Sequence, residues 1–168
     1  MQKHIRTGLA AIMVLGFAGA AQAADVNLKA SHQFPGGKGD VRDEMVQMIA
    51  REAEAANVGL DIKVYPGASL VKATEQWNAM LKGQIDITSF PLDYASGQHA
   101  QFGATLMPGL VKNHEHAKRI NASPFMQDIK KIITDAGVVV LADAWLAGAF
   151  GSKESCFLVP DGAQGLTV

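Results

Sequence analysis

The sequence predicts an α/β protein built on an open, mainly parallel sheet. Three observations carry that expectation. Strand-like and helix-like segments alternate in the order strand, helix, strand, helix, strand, helices, strand, a pattern that right-handed crossovers turn into a parallel sheet. The composition is that of a folded globular chain, 48% hydrophobic and 18% charged. One segment, VVVLADAW, is apolar almost without interruption, as a strand covered on both faces would be.

The first strand is VNLKAS, Val26 to Ser31, where apolar and polar residues alternate. The loop HQFPGGKG leads to a helix from Asp40, with Asp43 placed to face back as in a capping box. Val41, Met45, Met48, Ile49, Ala53 and Ala56 recur at helical spacing and predict its buried stripe. LDIKVY, Leu60 to Tyr65, is the second strand, stopped by Pro66-Gly67. Ser69 is expected to cap a helix with the stripe Leu70, Ala73, Trp77, Met80 and Leu81, closed by Gly83. IDITSF is the third strand. Ser123 and Pro124 suit the N-cap and first position of a helix carrying Phe125, Ile129, Ile132, Ile133 and Ala136, with Gly137 as its stop. VVVLADAW supplies the fourth strand.

The N-terminus reads as a secretory signal peptide over residues 1–23. Lys3, His4 and Arg6 form a positive region, Gly8 to Ala20 are nearly all apolar, and Ala21-Gln22-Ala23 is a small-x-small cleavage site. Removing Lys3 and Arg6 from the 15 basic residues leaves 13 against 16 acidic ones, a mature charge of −3. No basic stripe survives, so nucleic acid is not an expected partner. The expected product is an exported, periplasmic protein. The single Cys156 has no partner for an internal disulfide and reads as a small buried apolar residue beside Phe157 and Leu158.

Several motifs point to chemistry without carrying it. GGKGD lacks the spacing of a phosphate-wrapping loop and reads as a flexible rim before a helix. His114 and His116 lie two residues apart, which on a helix turns them to different faces; even with His99, a solvated helix start explains them better than a metal site. No cofactor or metal is expected. Asp86 and Asp93 resemble a carboxylate pair, but Asp86 falls at the amino end of its strand. Ligands on such sheets bind at the carboxyl ends of the strands. That rule nominates His32 and Gln33 after the first strand, Phe90 to Tyr94 after the third, including Pro91 and Asp93, and Trp145 to Phe150 after the fourth. Trp77, on an apolar helical stripe, belongs to the core.

The order of these segments resembles a family. YPGASLVKATEQWNAMLKGQIDI is similar to the core signature of the DctP-type substrate-binding proteins of tripartite ATP-independent periplasmic (TRAP) transporters. The likeness continues through LMPGLV, AGVVVLADAW and PDGAQGLTV, and covers essentially the whole mature chain. It implies a two-lobed, type II-like binding protein of which this chain is the N-terminal half. Residues 24–158 would form lobe I, and residues 159–168 the hinge and the start of a truncated second lobe. In the family the terminal segment leads into an Arg that clamps the ligand carboxylate; Asp161, Gly165, Leu166 and Val168 hold the places before it.

The resemblance implies a receptor rather than an enzyme. Its ligand would be a small organic acid anion, and its partners the TRAP membrane permease subunits. Gln33 matches a place where relatives put a polar ligand contact. Sugar-acid-binding members carry an acid after strand three and an Arg after strand four, where this sequence has Pro91 and Ala149. Phe90, Trp145 and Phe150 instead give an apolar wall suited to a keto, hydroxy or aromatic acid. The alternative is an ABC-importer solute-binding protein. A periplasmic α/β hydrolase is a further alternative, although no nucleophile elbow is visible.

Overall fold

A strand with neighbours on both sides is where an α/β core begins, and here it is β1 (Val26–His32). The computed structural model describes residues 26–146, 152–153 and 159–165, so the expected signal segment, Phe150, Cys156 and the terminal Leu166 to Val168 lie outside the described residues. β1 pairs in parallel with β2 (Leu60–Tyr65) from Val26↔Leu60 to Ser31↔Tyr65, and with β3 (Ile87–Ser89) from Ala30↔Ile87 to His32↔Ser89. The order is β2-β1-β3 in a three-stranded sheet, the parallel α/β arrangement expected from the alternation of segments. Both neighbours flank the carboxyl half of β1, and there Ala30, Ser31 and His32 are fully buried. Asp86 fastens the amino end of β3, its carboxylate accepting from the Lys29 N–H at 2.8 Å and its own N–H donating to the Lys29 carbonyl at 2.9 Å.

α1 (Val41–Ala56) starts where the sequence places it. Asp40 is the N-cap, accepting from the Arg42 N–H at 3.0 Å. Its buried face differs from the expected stripe: Val46 and Asp43 are buried, Met45 and Ala53 half-buried, and Val41, Met48, Ile49 and Ala56 exposed. Asp43 does not close a capping box either, because its carboxylate turns to the loop and strand before the helix. An apolar period shows that a helix has a face; the groups waiting beneath it decide which face is taken.

Hydrogen bonding by the Arg42 side chain, and then by its backbone N–H, holds the Asp40 carboxyl at about 2, below the ordinary 3.8. Because the folded value is the lower one, this stabilisation is present above pH 3.8 and is lost as pH falls toward about 2. The first turn of α1 is therefore expected to fray in that window, seen as faster exchange of the Arg42 amide. Asp40→Asn keeps a capping oxygen and should lack this acid-side loss. Identical acid profiles for the two proteins would remove Asp40 as the cause.

The second helix is shorter than expected. Residues 69–72 are irregular, a 3-10 turn covers Ala73–Glu75, and α2 is Gln76–Leu81. Ser69 is no cap; its N–H closes a turn onto the Pro66 carbonyl, and Leu70 and Leu81 are exposed. Backbone with positive φ at Gly67 (64°) and Ala68 (56°) carries the chain over the sheet end before a helix can begin. Trp77 is buried as expected, and Gly83, at φ 66°, ends the helix.

Further 3-10 turns at Leu92–Ala95 and Ala100–Leu106 lead to α3 (His114–Asn121) and α4 (Pro124–Asp135). Ser123 Oγ accepts from the Met126 N–H, and Gly137 ends α4 at φ 90°, as the sequence predicts. The main core joins Trp77, Ala95, Phe102, Ile120, Met126, Ile129 and Ile133. The expected fourth strand is corrected. Residues 138–146 are neither strand nor helix and have no ladder partner among the described residues. Val138, Val140 and Trp145 pack on the core, whereas Val139 and Leu141 are 75% and 70% exposed. Only one side of this run is covered, and it forms no ladder with β1, β2 or β3.

Candidate functional site

β1 and β3 end side by side, His32 opposite Ser89, and the chain leaving each end carries the polar and aromatic groups of the site. Gln33 follows β1 and Phe90 follows β3. Pro91, with extended backbone, turns the chain into the 92–95 turn, where the Tyr94 N–H returns to the Pro91 carbonyl at 3.2 Å. This brings Tyr94 back over the sheet end. Gln33 Nε2 donates to Tyr94 Oη at 3.4 Å, bridging the two strand ends, and the Tyr94 and Phe90 rings lie 6.1 Å apart. Phe90 stacks in turn on buried Trp77 at 6.4 Å. One wall of the site is thus continuous with the core.

His32 is the last residue of β1 and is fully buried, not on the open surface. Its Nε2 lies 3.1 Å from Asp43 Oδ1, a close pair that is not aligned as a hydrogen bond, and Nδ1 has no hydrogen-bond partner among the described residues. Asp43 also accepts from the Gly37 N–H at 3.1 Å and from Gln47 Nε2 at 3.2 Å. These contacts tie the rim loop to the sheet and to α1. The Phe34 and His32 carbonyls accept from the Gly67 and Ala68 N–H groups at 2.8 and 2.9 Å, and the Arg42 guanidinium lies 4.3 Å above the Phe34 ring. Gly36 is packed so closely that an added Cβ would lie 2.4 Å from Pro66 Cγ. The loop read from its glycines as a flexible rim is anchored from three sides.

Of the remaining nominated residues, Asp93 has Oδ1 buried without a hydrogen-bond partner among the described residues. Trp145 donates from Nε1 to Asn121 Oδ1 at 2.6 Å and packs on the core from the 138–146 segment. Phe150 lies outside the described residues. A concavity of about 490 Å³ opens along α2 beside Lys72, Asn78 and Lys82, but none of the nominated residues lines it. Among the described residues no cluster of His, Cys, Asp and Glu gathers for a metal: His99 lies tilted against Phe102 at 4.9 Å, and His114 is exposed at the start of α3. No described helix is long and apolar enough to cross a membrane.

Sequence reasoning did not find Asp43 behind His32, or Asn121 behind Trp145. Both are polar residues on amphipathic helices, and no local pattern marks which of them turns inward. It included Tyr94 in a stretch without giving it a role.

A parallel α/β sheet with polar and aromatic groups gathered at its strand carboxyl ends is the architecture of a ligand-binding α/β protein. Residues 37–167 match bacterial extracellular solute-binding protein, family 7, and the chain belongs to that family. It is 36% identical over 145 residues to a solute-binding protein of Albidiferax ferrireducens, covering 84% of this chain and 43% of that protein. Among solved structures it is similar to a TRAP periplasmic solute binding protein from Rhodoferax ferrireducens with bound malonate. That likeness has a TM-score of 0.64 and 38% identity, over 68% of this chain and 38% of the other. A TRAP periplasmic solute binding protein from Sulfurospirillum deleyianum with bound succinate shares the fold at a TM-score of 0.60 and 16% identity, over 68% of this chain and 37% of the other. The chain therefore spans less than half the length of these relatives, an extent that fits one lobe.

Proposed function

We propose that the chain forms the first lobe of a periplasmic receptor that binds a small carboxylate and delivers it to the membrane permease of a TRAP-type transporter. The observation that carries this reading is the 38% identity to a protein solved with malonate, joined to a site in the place where α/β sheets bind ligands. Residues 1–23 act as a cleaved export signal, residues 24–158 form the lobe, and residues 159–168 lead toward a second one. The chemistry is recognition rather than turnover. Hydrogen-bond donors at the ends of β1 and β3 meet the carboxylate, and Phe90, with Trp145, supplies an apolar wall.

Calorimetric titration of the mature chain with malonate, succinate and pyroglutamate tests this. Saturable binding in the millimolar range is expected, because one lobe leaves the anion half in water. A two-lobed form should bind about a hundredfold more tightly, since charge-assisted hydrogen bonds contribute roughly 1.5 to 3 kcal/mol each. Heat from neutral sugars, with none from malonate, succinate or pyroglutamate, would overturn the reading.

A further inference from the structure

We infer that Tyr94, oriented by Gln33, is the side chain of this lobe that donates a hydrogen bond to the ligand carboxylate and so selects anions. The assignment deepens the receptor reading and rests on it. Its basis is a count of donors. Gln33 Nε2 donates to Tyr94 Oη, which occupies a lone pair of the phenol and leaves its O–H proton unused. The second Nε2 hydrogen of Gln33 is also left over. In the structure Gln33 donates, which keeps the phenol proton for the ligand; turned round, the amide would take that proton on Oε1.

Position and rigidity agree with that role. Tyr94 is 41% exposed, and its hydroxyl meets Gln33 where the ends of β1 and β3 lie side by side. Contact with Phe90, which stacks on Trp77, holds the ring, so little freedom is lost when a ligand arrives. A phenol hydrogen bond to a carboxylate is charge-assisted on the acceptor side, and an uncharged solute would gain less from the same donor.

The chain has two tyrosines, Tyr65 and Tyr94, so labelling Tyr Cζ with carbon-13 gives one probe at the site and one internal reference on β2. Titration with sodium malonate at constant ionic strength is expected to move the Tyr94 signal saturably and leave Tyr65 in place. Tyr94→Phe keeps the ring against Phe90 and deletes only the hydroxyl. It should weaken malonate binding, followed by backbone amide signals, about tenfold, equivalent to about 1.4 kcal/mol. Gln33→Leu should weaken it in the same direction, whereas Tyr65→Phe should not. Unchanged affinity in Tyr94→Phe, or a stationary Tyr94 signal while backbone amides titrate, overturns the assignment and leaves the receptor reading standing. If no signal responds to malonate, succinate or pyroglutamate, the receptor reading fails and the assignment falls with it.

Discussion

Trp77→Ala is expected to destabilise the lobe by about 3–5 kcal/mol, the range for truncating a buried aromatic residue. Trp77 is 1% exposed, meets the ring of Phe102 edge-on at 5.4 Å and that of His99 at 5.6 Å, and stacks on Phe90. Such a loss is a large share of the roughly 5–15 kcal/mol that holds an ordinary domain folded. The effect should also reach the site. Phe90 loses the surface it rests on, and Tyr94 loses its support from Phe90. Trp77→Phe should be much milder, because the Trp77 Nε1 is buried without a partner and its removal breaks no hydrogen bond. Urea unfolding of the three proteins measures this, and a loss under about 1 kcal/mol for the alanine variant would mean that the cavity collapses around the missing ring.

Asp43→Ala is expected to cost roughly 1–3 kcal/mol for each polar group that it leaves buried without an acceptor. His32 would be left buried with neither ring nitrogen in polar contact, and the Gly37 N–H and the Gln47 amide would lose their acceptor. Asp43→Asn retains one oxygen and should lose less than half as much. Hydrogen exchange separates this from general weakening. In Asp43→Ala the Gly37 amide should exchange faster, relative to the α4 amides, than it does in Trp77→Ala. Equal changes across the chain would show that the pair does not specifically anchor the rim loop.

Much that depends on near neighbours was legible in the sequence. Asp40 caps α1, Ser123 with Pro124 opens α4, Gly83 and Gly137 end their helices, and Leu60 to Tyr65 is a strand between the expected limits. Each is decided by backbone geometry and hydrogen bonds within a few residues, so the local string contains the information. The placing of the site at the strand carboxyl ends followed from element order, and Gln33 and Phe90 are found there.

The rest was settled by contacts between residues far apart in the chain. The α1 periodicity fits more than one face, and the polar pair of Asp43 with His32 at the end of β1, together with Val46, sets the one that turns inward. The turn through Gly67 and Ala68 docks on the carbonyls of Phe34 and His32, which is why the second helix starts late. The apolar run at 138–146 looks like a strand in isolation, but a strand is completed by the hydrogen-bonding edge beside it, and hydrophobicity does not encode where that edge lies. Gln33 and Tyr94 are 61 residues apart and meet because β1 and β3 are neighbours in the sheet. The sequence by itself determined three strands, α1 and α4 with their caps, and the end of the sheet to which the candidate residues belong. Tertiary structure alone decided which polar groups face one another there, since a hydrogen bond depends on a separation in space that chain position does not fix.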